Sequence, residues 1–158
     1  MTEFRTRTAN ETIELGRRIG AVLRDGDVLV LNGDLGAGKT QLTKGIADAL
    51  GVVESVTSPT FTIQMVYEGS ELALYHFDLY RLEDAEQLDD TGLFDVLGAD
   101  GVCVIEWGDK FADQLGDERL DICLMRLDDM AEAGEEPARL VCLEPHGPRA
   151  QQIADALA

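Results

Sequence analysis

Residues Val28 to Thr40 read "VLVLNGDLGAGKT": four apolar residues and an asparagine, then a glycine-rich turn that ends on a lysine and a threonine. A short, continuously apolar run of this kind is the mark of a strand buried on both faces of a sheet. From Gly33 to Thr40 the chain matches GxxxxGK[ST] in full, the pattern whose backbone N–H groups close around phosphate oxygens. Downstream, "KTQLTKGIADALG" spaces Leu42, Ile46 and Leu50 four residues apart and meets Gly51 at a C-terminal cap position, as an amphipathic helix does. Strand, loop and helix in this order aim a positive helix terminus at a bound triphosphate. In this reading Gly33, Asp34, Gly36, Ala37 and Gly38 form the cradle. Lys39 reaches the β- and γ-phosphates, and the Thr40 hydroxyl sits on Mg²⁺.

Other patterns build outward from this unit. Asn10 is placed to cap a helix with Glu11 and Glu14 in its first turn, an apolar face of Ile13, Ile19, Val22 and Leu23, and Gly26 as its stop. "FTIQMVYEGSELALYHFDLY" (61–80) predicts two strands joined around Glu68-Gly69-Ser70. An acidic helical stretch follows in "EDAEQLDDTGLFDVLG" (83–98), then a buried strand in "GVCVIEW" (101–107). "RLDICLMRL" (119–127) and "ARLVCLEP" (138–145) predict an antiparallel pair, and "PRAQQIADALA" (148–158) a short amphipathic helix. No repeat or linker interrupts the order. Residues 1–158 are therefore expected to make one α/β domain with a mixed parallel and antiparallel sheet.

Composition narrows the partners. A chain of 158 residues with 45% hydrophobic content has enough material for a core. Its formal charge of −18 repels a polyphosphate backbone, which argues against DNA binding and leaves any RNA to be held mainly by another protein. Arg5, Arg7, Arg17, Arg18 and Arg24 offer only a weak basic group. No apolar run approaches the roughly 20 residues of a membrane span, and the N-terminal stretch lacks the apolar core of a signal peptide. A cytoplasmic location is expected. Cys103, Cys123 and Cys142 lie inside apolar runs without a CxxC pair, and are expected as buried thiols.

Three further stretches carry chemistry. A phosphate loop needs an acidic side chain at the tip of a neighbouring buried strand to hold the magnesium shell, and Glu106 closes "GVCVIE" in that way. Asp78, in "YHFDLYR", competes for that role or positions the attacking water. His76 and Tyr80 flank it at two residues on either side, so an extended strand would put all three on one face. "TSPTFT" (57–62) lies where nucleotide switches sense the γ-phosphate, with Ser58 or Thr60 as hydroxyl donors.

In this order, "GDLGAGKT", "SPTF", "HFDLYRL" followed by "LEDAEQLDDTG", and "VIEWGD" resemble the TsaE (YjeE-like) family over about residues 10 to 145. The resemblance implies a three-layer α/β/α P-loop fold. It implies an ATPase, slow alone, of bacterial tRNA threonylcarbamoyladenosine formation that works with TsaD and TsaB; the charge of −18 then points to tRNA held mainly by those partners. The resemblance makes Thr40 and Glu106 the Mg²⁺ residues and Lys39, Glu106 and Asp78 the catalytic set. Gly36 to Gln41 contact the phosphates, with Thr60 and Trp107 as further nucleotide-site positions. Gln41 departs from the second threonine usual after "GKT". Thr12 and Arg139 are candidates for closing over the adenine.

Glu83 to Asp100 holds seven carboxylates and no base; this segment and the loop at 128–136 are candidates to face a basic partner surface. A small-molecule kinase is the rival enzyme, but its lid needs clustered arginines. Arg81, Arg119, Arg126, Arg139 and Arg149 are scattered in sequence. A non-hydrolysing switch is the other rival, distinguished by whether Asp78 is dispensable.

Overall fold

The computed structural model describes residues 2–34, 36–57, 63–127 and 137–158. Among these residues the strands are β1 (Thr2–Thr6), β2 (Val28–Asn32), β3 (Gln64–Glu68), β4 (Ala73–Asp78), β5 (Val102–Glu106), β6 (Arg119–Leu127) and β7 (Ala138–His146). They join in one seven-stranded sheet, ordered β1-β7-β6-β2-β5-β4-β3. β2 occupies the middle, parallel to both β5 and β6, and β4 runs parallel to β5. The pairs β3–β4, β6–β7 and β1–β7 are antiparallel. The expected mixed sheet and both expected hairpins are present.

Val28 to Leu31 are buried on both faces, as their unbroken apolar run demands. Helices α1 (Ala9–Gly20), α2 (Lys39–Ala49) and α4 (Pro148–Leu157) supply one layer. Their Leu15, Ile19, Leu42, Ile46, Ile153 and Leu157 meet Leu29, Leu31, Val104, Ile122, Leu124 and Val141 from the sheet. The opposite layer is thinner. Two 3-10 segments, Ala85–Thr91 and Asp109–Gln114, and the short helix α3 (Leu93–Val96) bring Leu88, Leu93, Phe111 and Leu115 onto Val30, Phe77 and Ile105.

Four local expectations change. The helix expected over the acidic segment is broken at Gly92, whose φ of 80° belongs to the left-handed region that ends helices. Its start is firm, because Asp84 and Gln87 form a reciprocal capping box. Thr8, not Asn10, caps α1, since its hydroxyl accepts the Glu11 N–H at 3.1 Å. β1 has too weak a pattern to read, and it forms by pairing with β7. Of the cysteines only Cys103 is buried; Cys123 is exposed and Cys142 half-buried. The reason is that β6 and β7 extend beyond the thin layer, so their alternate residues face solvent, including Met125 and Glu144.

α1 and α2 approach so closely that Gly16 and Gly45 pack backbone to backbone. A methyl on Gly45 would collide with the Ile13 carbonyl oxygen and the Arg17 amide. Gly45→Ala is therefore expected to destabilise the fold by about 2 kcal/mol, read as a lowered urea midpoint at unchanged slope; an unchanged midpoint would show that the two helices can separate freely.

Candidate nucleotide site

Because β2, β5 and β4 run parallel in neighbouring positions, their C-terminal ends share one edge. Leu31 on β2, Glu106 on β5 and Asp78 on β4 are consecutive register partners. Glu106 and Asp78 are 2% and 3% exposed. Two carboxylates side by side and almost dry are costly unless a positive group faces them. The loop after β2 brings a buried lysine to the same edge, against Trp107, the residue that follows Glu106.

The loop turns through Gly36 and Gly38, with φ of 79° and 107°, values that a side chain would strain. Gly38 sits at the N-terminus of α2, directly before Lys39. A Cβ there would fill the gap between Leu124, Thr12 and Arg139. Lys39 is only 5% exposed. Its Nζ donates to the Gly33 carbonyl at 2.7 Å and lies 3.7 Å from the centre of the Trp107 ring, a cation–π distance. Thr40 and Gln41 follow in the first turn of α2, both half-buried. Ala37 is buried, and Asp34 is exposed at the mouth. A cleft of about 510 Å³ opens beside the loop, lined by Gly33, Asp34, Ala37 and by Cys123 to Arg126 of β6.

Trp107 reaches Lys39 through an unusual backbone. Its φ of 59° is left-handed without being glycine, a conformation that costs about 1 kcal/mol or more and concentrates at functional sites. Its N–H is tied to the Leu31 carbonyl at 3.3 Å. The turn folds the indole back over the loop, and Tyr80 packs against it with ring centroids 4.9 Å apart.

On β4 the expected shared face holds for two of three residues. His76 is fully buried and its Nε2 lies 2.5 Å from Glu106 Oε2. Tyr80 departs, because β4 ends at Asp78. Asp78 Oδ1 accepts the Tyr80 N–H at 2.9 Å, which turns the chain and leaves Tyr80 half exposed. Thr60 and the rest of the 58–62 stretch lie outside the described residues, as does the acidic loop at 128–136.

The arginines regroup. Arg119 pairs with Asp121 at 3.0 Å. Arg149 pairs with the buried Asp27 and donates to the Val22 carbonyl, so it anchors α4. Arg126 and Arg139, thirteen residues apart in sequence, are register partners on β6 and β7. Arg139 donates to the Gly36 carbonyl at 3.2 Å, and Arg126 Nη1 is 3.3 Å from where a Gly36 Cβ would sit. Sequence reasoning guessed Arg139 and missed Arg126. The register of the predicted β6–β7 hairpin was the signal that would have found it. Thr12, the other guess, is 1% exposed and shares a 2.7 Å hydrogen bond with Thr6; only its methyl faces the loop, at Gly38.

The donor set suits a hard cation. The Thr40 hydroxyl and the Glu106 and Asp78 carboxylates offer oxygen donors only, the kind that Mg²⁺ takes. The chemistry this arrangement allows is the binding and cleavage of a phosphoric anhydride.

Comparison with known proteins gives the family. A family model described as threonylcarbamoyl adenosine biosynthesis protein TsaE matches residues 6–133. The tRNA threonylcarbamoyladenosine biosynthesis protein TsaE of Bacillus subtilis is 45% identical over 131 residues, 82% of either chain. Its counterpart in Treponema pallidum is 45% identical over 124 residues, 78% of this chain and 91% of that one. The crystal structure of Bacillus subtilis YdiB superposes with a TM-score of 0.81 at 36% identity, covering 99% of this chain and 93% of the other. The loop, the paired carboxylates and these likenesses together show that the chain belongs to the TsaE family of threonylcarbamoyl adenosine biosynthesis proteins.

Proposed function

We propose that this chain binds ATP with Mg²⁺ and hydrolyses it in the cytoplasm, as the ATPase of tRNA threonylcarbamoyladenosine formation, acting with TsaD and TsaB. The observation that carries the reading is the register of Asp78 and Glu106 on parallel strands beside the end of β2. It sets two buried carboxylates next to a glycine loop whose lysine is also buried. The whole chain is read as one P-loop ATPase domain.

In this reading the loop amides from Gly33 to Gln41 grip the phosphates, and Lys39 leaves the Gly33 carbonyl for the β- and γ-phosphates. Thr40 and Glu106 hold Mg²⁺, which when bound neutralises charge on the transferred phosphoryl group. Asp78, oriented through the Tyr80 N–H, aligns the attacking water and accepts its proton. Thr60 supplies a further hydroxyl from the 58–62 stretch. The carboxylates from Glu83 to Asp100 that the structure exposes offer a surface for a basic partner, while tRNA is held by the partners.

Phosphate release should be slow for the protein alone and should rise as TsaB, TsaD and tRNA are added in turn. Asp78→Asn should lower the partner-stimulated rate by about 10²- to 10⁴-fold while nucleotide still binds. Wild-type turnover in Asp78→Asn, or no response to the partners, would refute this reading.

Trp107 is the sole tryptophan, so it reports on its own contact with Lys39. Drawing the ammonium off the ring toward phosphate should change the indole emission on nucleotide addition. Lys39→Ala should differ from the wild type before nucleotide and show no further change after it. An emission change of wild-type size in Lys39→Ala would separate the indole signal from the lysine.

A further inference from the structure

On the face of the sheet that no described helix covers, β6 and β7 set Cys123 directly opposite Cys142. Opposed residues of an antiparallel pair have Cα atoms about 4.5 to 5.5 Å apart, within the roughly 4.4 to 6.8 Å that a disulfide spans. We infer that Cys123 and Cys142 form a dithiol modification site that hydroperoxides convert to an intrachain disulfide. Their exposures divide the roles. Cys123 is exposed and lines the cleft beside Gly33 and Asp34, so it meets the oxidant. Cys142 is half-buried, with its thiol donating to Glu3 Oε1 at 3.9 Å. Burial, then the Glu3 carboxylate and Cys123, hold this thiol above the usual range, which leaves Cys142 the slower of the two to meet peroxide. Cys103 does not compete: it is buried on β5, and burial pushes it up to about 12.

The Cys123 thiolate attacks the terminal peroxide oxygen, breaking the O–O bond and giving a sulfenic acid and an alkoxide, or hydroxide when the oxidant is hydrogen peroxide. The Cys142 sulfur, losing its proton, then forms the S–S bond and expels the hydroxyl as water. Two electrons pass from the thiols to the peroxide. The test treats folded protein with hydrogen peroxide and maps its peptides without reduction. A Cys123–Cys142 linked peptide with Cys103 still free is expected. Cys142→Ser should stop at a Cys123 sulfenic acid trapped by dimedone, and Cys123→Ser should slow loss of the Cys142 thiol about tenfold. Oxidation of Cys103 at the same rate, or disulfides formed only between chains, would overturn the site.

A separate observation concerns His76, and it rests on the reading of Glu106 as a metal-facing carboxylate. His76 is fully buried, its Nε2 is hydrogen-bonded to Glu106 Oε2, and its Nδ1 is buried with no hydrogen-bond partner among the described residues. A ring that meets a carboxylate at Nε2 carries its proton there, which leaves the orphaned Nδ1 as a bare lone pair. An unfilled acceptor costs less than an unfilled N–H. The structure assigns His76 as the positioning residue of Glu106: it fixes Oε2 and leaves Oε1 as the oxygen presented to the cation.

Nitrogen NMR of the metal-free protein should show the Nε2–H tautomer, and the Nδ1–H tautomer would overturn the assignment. His76→Leu should raise the Mg²⁺ concentration needed for tight ADP binding by about 10- to 100-fold. Affinity in EDTA should stay unchanged, and His76→Gln, which keeps an N–H, should recover most of the loss. Glu106→Gln is the reference. If it shifts the Mg²⁺ dependence while His76→Leu does not, the positioning role is wrong; if it shifts nothing, the metal role of Glu106 itself fails.

Discussion

Parallel pairing of β2 with β5, and of β5 with β4, is the constraint on which the rest of the molecule depends. Parallel strands in adjacent positions end on the same edge, so a residue at the tip of one stands beside the tip of the next. Leu31, Glu106 and Asp78 stand in one row for that reason. The chain leaving β2 must cross this edge before α2 can pack on Leu29 and Leu31, and it crosses as the glycine loop. Any slip of one residue between β4 and β5 would turn Asp78 or Glu106 onto the opposite face. The helical layers are therefore as much a part of the site as the loop is, since burying Leu74, Val104 and Ile105 sets the register.

Charge explains why this edge is closely held. In a chain of net charge −18, the acidic groups at the surface are hydrated and cost little, but Asp78 and Glu106 are not. Glu106 is met by the buried His76 ring, and Asp78 by the Tyr80 amide. Trp107 adds a π face to Lys39 at the expense of its own backbone strain. Arg126 and Arg139 add positive charge from the other flank, beside Gly36. The basic groups that matter in this acidic protein converge on one loop, where a polyphosphate would need them.

The two faces of β6 and β7 show how layer coverage changes the meaning of a residue. Inward, Ile122, Leu124, Val141 and Leu143 belong to the main core. Outward, the same strands carry Asp121, Cys123, Met125 and Glu144 into solvent or its margin. Apolar neighbours on either side made Cys123 and Cys142 look buried. Alternation along strands whose outer face has no helix over it among the described residues left Cys123 exposed and Cys142 half-buried.

Much of the site was legible along the chain because it is built from contiguous pieces. A glycine loop between a buried strand and a helix has one geometry, so Gly33 to Thr40 announced themselves. Carboxylates ending apolar runs marked Glu106 and Asp78 as strand tips. What stayed hidden was partly relational. The pairing of Arg126 with Arg139 depends on strand register, while the turn at Tyr80 and the break at Gly92 are local events that a hydrophobic period does not report. The sequence by itself determined the order of the main strands and helices after β1, the phosphate loop and the acidic tips, since each rests on a local backbone preference or a period of hydrophobicity. Only the tertiary structure decided that His76 grips Glu106, that Trp107 covers Lys39 and that Cys123 meets Cys142. Those contacts join residues that the chain separates, and only the assembled sheet brings them within bonding distance.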